Sequence, residues 1–163
     1  MRSAHANPRA DSIASELPHR APHVSMRVGD WTQLRAYAMA VRDAVFVREQ
    51  GIPAQMEIDE HDVFAVHAVA FDPCGVPLGT GRLLPDGRIG RMAVLAGARG
   101  QGIGAMILAT LVAIAKSRGM PEVRLHAQLG AAAFYERQGF RAVGPWFEEV
   151  GILHQTMARS LRS

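Results

Sequence analysis

Arg99-Gly100-Gln101-Gly102-Ile103-Gly104 joins an apolar run that ends at Leu95 to a second apolar run that starts at Ile103. The first run has the alternation and preceding turn of a strand; the second has the length and composition of a helix. The first turn of a helix leaves backbone N–H groups without partners and carries a partial positive charge. Glycines remove the Cβ atoms that would keep an anion away from those donors. The pattern therefore predicts a phosphate or pyrophosphate at the amino end of the helix, with Arg99 as an added cationic contact. The competing reading is a tight turn packed against a sheet.

Working outward, the helix after the loop runs to Arg118 and is apolar on most sides (Ile103, Ile107, Leu108, Leu111, Val112, Ile114) before Gly119 and Pro121 stop it. Upstream, Asp86-Gly87 turns a strand at 77–84 into the run 88–95, and Asp72-Pro73-Cys74-Gly75 joins 77–84 to a strand at 64–71. Three antiparallel strands result. Farther upstream, Val24, Met26 and Val28 mark a short strand. Asp30 and Gln33 have the spacing of a capping box, and Leu34, Ala38, Val41 and Val45 line one face of a helix that reaches Glu49 and ends at Gly51 and Pro53. Residues 53–62 read as an irregular or short helical piece. Downstream come a strand at 123–127, a short helix at 131–138 closed by Gly139, and strands near 140–143 and 152–158. The order defines an α/β (α+β) fold: a mixed, mostly antiparallel sheet flanked by helices. The strands on either side of the long helix should form a right-handed parallel pair.

The 163 residues suit one domain, placed at 23–163, and 48% hydrophobic with 20% charged residues is ordinary for a soluble fold. No apolar run approaches the roughly 20 residues of a membrane span. Cys74 is the only cysteine, which excludes an intrachain disulfide framework and a Cys-based zinc cluster and favours a cytoplasmic location. All basic residues except Lys116 are arginine, scattered from Arg2 to Arg162 with a formal charge of +3, so neither nucleic acid nor membrane is expected as a partner. Residues 1–22 have no hydrophobic period and no secretory h-region, and read as a disordered tail. Gly100, Gly102 and Ala105 satisfy a dinucleotide pattern, but the acid that would complete it, Glu122, falls at the wrong end of its strand. No Gly-Lys-Ser/Thr follows the loop, so it is not a Walker A loop either.

Arg99-x-x-Gly102-x-Gly104 resembles the acetyl-CoA pyrophosphate motif of the GNAT N-acetyltransferases, and Ala133-Phe134-Tyr135-Glu136-Arg137-Gln138-Gly139-Phe140 resembles their late helix and strand. The likeness covers roughly residues 24–159. The segments Val45–Pro53, Asp59–Asp62 and Glu148–His154 are similar to the bacterial ElaA-like branch. One departure stands out: many members carry Asn where this chain has Gln128, which offers the same amide at a different reach.

The resemblance implies direct transfer of an acetyl group from acetyl-CoA to an amine of a small molecule or peptide, without a metal or a covalent enzyme intermediate. It assigns the cofactor to backbone groups of Met92, Ala93 and Val94, to the loop Arg99, Gly100, Gln101, Gly102, Ile103 and Gly104, and to Gln128, Phe134 and Tyr135. Tyr135 is the family-position acid for the departing thiolate; a core aromatic beside Phe134 is the alternative. Candidate bases for the amine are Glu49, Glu149, His126 and His154, with Glu49 and His154 carried forward. Arg82 and Arg91 read either as buried ion-pair partners or as groups that orient an acidic substrate. Asp59–Asp62 reads as a solvated or cap-forming loop. A homodimer is compatible with these features. A non-catalytic acyl-CoA-binding module and a nicotinamide oxidoreductase are the competing functions, the second disfavoured by element order.

Overall fold

The computed structural model describes residues 23–162; the tail expected at 1–22 lies outside the described residues. Strands β1 (Ser25–Gly29), β2 (Val66–Phe71), β3 (Pro77–Leu83) and β4 (Ile89–Val94) form an antiparallel sheet in the order β1-β2-β3-β4. Strands β5 (Glu122–Gln128), β6 (Arg141–Glu149) and β7 (Ile152–Ser160) form a second, in the order β5-β7-β6. Helices α1 (Trp31–Arg42), α2 (Ala54–Glu57), α3 (Ile103–Ser117) and α4 (Ala132–Arg137) complete the structure.

Helices α1 and α3 cover opposite faces of the first sheet, as the alternation along β2 dictates. Ala68 and Ala70 pack into the core beneath α3 with Ile107, Leu108 and Leu111, while Val69 and Phe71 pack with Trp31, Leu34 and Ala38 of α1. Asp30 caps α1 as its spacing predicts: its carboxylate accepts from Gln33 N at 2.8 Å, and the Gln33 side chain accepts from Asp30 N at 3.0 Å.

Three expectations change in the structure. Helix α1 ends at Arg42 and continues as a wide π-helical segment, Asp43–Glu49, with Gln50 N donating to Val45 O. Val45 and Phe46 there, with Val41 of α1, pack on Ala93 of β4. Strands β6 and β7 are longer than their patterns suggest and meet at a Val150-Gly151 turn. The expected parallel pair is confined to one bridge, Arg88 with Arg124, where Arg124 N donates to Gly87 O at 3.1 Å. Gly87 permits this approach, because a Cβ there would lie 2.9 Å from Glu122 O. Beyond the bridge no further β4–β5 pairing occurs among the described residues, and a cleft opens between the two sheets.

Candidate active site

The cleft has a volume of about 760 Å³. Met92, Gln128, Tyr135 and His154, all expected at the site, line it together, as do His126 and Glu149. On its β4 side the register against β3 slips between Thr80–Ala93 and Arg82–Gly90, which leaves Arg91 and Met92 opposite a single residue. This bulge puts Arg91 at φ 50°, a left-handed conformation that re-aims its side chain.

Arg91 turns toward the segment after α1. Its Nε donates to Glu57 O at 2.8 Å, and one terminal nitrogen donates to Asp59 Oδ2 at 3.1 Å. Arg82 donates to both oxygens of Asp59 and to Asp62 Oδ1, and Arg42, fully buried, makes a fork-to-fork pair with Asp62 at 2.8 and 2.9 Å. Asp62 is only 1% exposed. Of the two readings of Asp59–Asp62, cap-forming holds, since Asp59 Oδ1 accepts from His61 N at 3.1 Å, and solvated is corrected: the aspartates anchor an arginine network in which Arg82 is an ion-pair partner. These arginines hold Asp62 below the usual carboxylate range and Asp59 down at about 2, against the opposing effect of burial. His67 donates through Nε2 to Asp62 O, and burial pushes its pKa down, so the ring is neutral. The network fixes the 53–62 wall of the cleft to the sheet.

Glu57, absent from the sequence expectations, is 2% exposed on that wall, and both its carboxyl oxygens lack a hydrogen-bond donor. Burial and the neighbouring Asp43 carboxyl raise its pKa to about 7. The helix α2 that carries it is only four residues long, too short to give a periodic signal of burial.

Tyr135 is buried, with edge contacts to Phe134 at 5.1 Å and Phe140 at 5.9 Å between ring centroids. Burial pushes its pKa up to about 12, so the phenol keeps its proton throughout the neutral range. Packing and site exposure thus coexist at this residue. His154 is 7% exposed, and its Nδ1 lies 2.7 Å from Ile152 O. A carbonyl only accepts, so Nδ1 carries the proton and Nε2 is left with the lone pair. Phe147 packs between His154 (6.0 Å, stacked) and His126 (4.9 Å, edge-on), while His126 Nδ1 meets Glu149 Oε2 at 3.0 Å.

At the glycine loop the geometry is different. Gly100 and Gly102 have φ of 78° and 79°, and a Cβ on either would meet nothing within 4 Å. Gly102 is the N-cap of α3 and supplies no side-chain cap to its first turn. An open, anion-seeking cradle results, which fits a pyrophosphate. Only the backbone of Ile103 can serve it, because that side chain is buried in the core. Phe134 stands behind the loop, 3.6 Å from where a Gly104 Cβ would sit.

Glu49, a candidate base, lies at this loop and outside the cleft lining: Arg99 grips it through two hydrogen bonds of 2.7 and 2.8 Å, while Arg99 Nε donates to Val94 O. The pairing lowers the Glu49 pKa, opposite to what a base working near neutrality needs. Gln128, expected at the cofactor, forms reciprocal amide hydrogen bonds with Gln50 at 3.0 and 3.3 Å. Among the described residues no cluster of His, Cys, Asp or Glu could hold a metal ion, and no helix is long and apolar enough to cross a membrane.

A cleft between diverging strands, beside a glycine cradle, is the architecture of an acyl-CoA-dependent acyltransferase. The chain belongs to the GNAT acetyltransferases: residues 40–161 match the acetyltransferase (GNAT) domain family. It is 36% identical over 126 residues to the N-acetyltransferase YjcF of Bacillus subtilis (strain 168), covering 75% of this chain and 89% of that protein. An acyl-CoA N-acyltransferase from Pseudomonas aeruginosa superposes with a TM-score of 0.75 at 30% identity, over 85% of this chain and 100% of its own. ElaA of Escherichia coli superposes equally well, TM-score 0.75 at 26% identity, with the same coverage. This protein is therefore an N-acetyltransferase of the GNAT family with an ElaA-like fold.

Proposed function

We propose that the protein moves an acetyl group from acetyl-CoA directly to a primary amine of a small molecule or peptide, and that it does so in the cytoplasm. The observation that carries the reading is the shared cleft, lined by both Tyr135 and His154. Arg99 and the backbone of residues 100–104 hold the pyrophosphate, and the edge of β4 at Met92–Val94 pairs with the pantetheine arm. Bound acetyl-CoA supplies the activated thioester. Backbone N–H groups of β4 stabilise the charge that develops on the thioester oxygen.

His154 Nε2 takes a proton from the incoming ammonium, since only the neutral amine attacks, and the Ile152 carbonyl steadies the imidazolium through Nδ1–H. The Tyr135 hydroxyl gives its proton to the departing sulfur. The nitrogen, once bonded to the acyl carbon, loses its second proton as the carbon–sulfur bond breaks; that proton restores the Tyr135 hydroxyl, whose burial disfavours the tyrosinate. Glu49 serves the loop rather than the amine. Phe134 supports Gly104, and Gln128 orients the arm once released from Gln50.

Thiol release measured over a panel of amines tests the reading. Tyr135→Phe, which keeps the ring and its packing, should lower turnover by roughly 10²-fold while acetyl-CoA still binds. His154→Gln should lower kcat/KM by roughly 10²-fold while acetyl-CoA still binds. A Tyr135→Phe enzyme with unchanged turnover would remove Tyr135 as the acid, and unchanged kcat/KM in His154→Gln would remove His154 as the base.

A further inference from the structure

The only β4–β5 bridge among the described residues brings Arg88 and Arg124 side by side, and both side chains line the cleft. Each commits one atom locally: Arg88 Nε to Asp86 and Arg124 Nε to Glu122, both acids two residues away. The terminal nitrogens of both guanidinium groups have no partner among the described residues. Each pair is about half exposed, at 48% and 55% for Arg88 and Asp86 and 52% and 41% for Arg124 and Glu122. Exposed pairs of this kind exchange readily for a better ligand.

The acids in the cleft are otherwise engaged. Asp59 is held by Arg82 and Arg91, and Glu149 lies against His126. Glu57 has both carboxyl oxygens sealed from solvent, with its pKa raised to about 7. Among the described residues Glu149 is the one half-exposed carboxylate that lines the cleft, against two guanidinium forks whose terminal nitrogens stand open to an anion. Arginine forks match the paired oxygens of a carboxylate or phosphate.

We propose that the acceptor is an extended primary amine with a carboxylate or phosphate at its far end, seated on Arg88 and Arg124. The proposal rests on the acetyl-transfer reading above and names its substrate class. Spacing sets the length. Gln128 pairs in register with His154, and Arg124 lies four residues earlier on the same strand, a backbone span of about 13 Å. An ω-amino acid or aminoalkyl phosphate fits that span better than an α-amino acid, whose two groups are adjacent.

Initial rates with 6-aminohexanoate, 6-aminohexyl phosphate, hexylamine and 1,6-diaminohexane test the class. At least one anionic acceptor should exceed both acid-free amines in kcat/KM by about tenfold or more, carried by KM, the effect of losing one charge-assisted contact. The larger of the two anionic values identifies the carboxylate or the phosphate. In an Arg88→Gln/Arg124→Gln double variant the preference should fall to near one, and it should return in part with lysine at both positions. Equal use of hexylamine, preference for the diamine, or a preference that survives the double variant would overturn the proposal. Calorimetry of the parent protein with acetyl-CoA separates the two levels of argument. Acetyl-CoA binding with no thiol release from any of the four amines removes this substrate class alone, and absence of acetyl-CoA binding removes the reading beneath it.

Discussion

On the 53–62 wall of the cleft, Arg42, Arg82 and Arg91 converge on Asp59 and Asp62; at the glycine loop, Arg99 faces Glu49. Both arrangements use arginine forks on carboxylates at hydrogen-bond distance, yet their surroundings differ. Asp62 and Arg42 are sealed, whereas Arg99 and Glu49 are 45% and 39% exposed. A buried charge has no water to fall back on, so each member of the first group depends on the others. The exposed pair can part, because water or a ligand replaces either partner. The same pair of residue types thus acts as a structural anchor in one place and as an exchangeable contact in the other.

Breaking the anchor should give the largest effect. Asp62→Ala leaves the Arg42 guanidinium buried and unpaired and should destabilise the fold by about 3–5 kcal/mol, measured as a lower urea midpoint at unchanged m-value. A loss under about 1 kcal/mol would mean that this network behaves like a surface pair. At the loop, Gly102→Val places a branched Cβ in the open cradle and strains a φ of 79°. Acetyl-CoA affinity by calorimetry should fall by about tenfold or more while most of the fold is kept. Parental affinity in the valine variant would show that the cradle does not hold the pyrophosphate.

A smaller effect distinguishes Glu57 from its saturated neighbours. Its folded pKa of about 7 lies above its unfolded value. The folded state then holds a proton that the unfolded chain releases, so this group lowers stability as pH rises from roughly 4.5 toward 7. Glu57→Gln should raise Tm by a few degrees at pH 8 and change it little at pH 4, read by thermal melts across pH. An equal change at both pH values would refute the shifted carboxyl. The smallest effect belongs to the exchangeable pair. Glu49→Gln removes a carboxylate that competes for Arg99, so acetyl-CoA should bind roughly two- to fivefold more tightly at low salt, with the difference fading as salt rises. Weaker binding would show that Glu49 helps Arg99 to hold the ligand.

The difference between anchor and exchangeable contact also explains what the sequence could show. Local signals were legible: the Asp30–Gln33 cap, the Asp86-Gly87 turn and the apolar run of α3 each lie within a few residues of the structure they specify. The arginine network was not, because Arg42 and Asp62 are 20 residues apart and neither type carries a burial signal until its partner is known. The π-helical segment escaped because Val41 and Val45 keep a helical spacing whichever backbone bonds form around them. Alternation suggests strands in β4 and β5 but says nothing of how far they stay paired; the Arg91 bulge interrupts β4 against β3, and pairing with β5 stops at one bridge. For the site, Tyr135, His154, Gln128 and Met92 reach one cleft, while the lone pair on His154 Nε2 depends on the carbonyl of Ile152, a contact set by the β7 backbone.

The reciprocal amides of Gln50 and Gln128 give the open end of the cleft a mechanical character. A continuous sheet resists a wedge with a row of backbone bonds that must break together. Here backbone pairing between the two sheets is limited to one bridge, and Gln128 at the end of β5 instead meets Gln50, 78 residues away on the segment after α1, through two side-chain hydrogen bonds of about 1 kcal/mol each. Both sheets share one hydrophobic core, so what this side-chain pair adds is an exchangeable contact: an amide can take the place of either glutamine with little net change in hydrogen bonding.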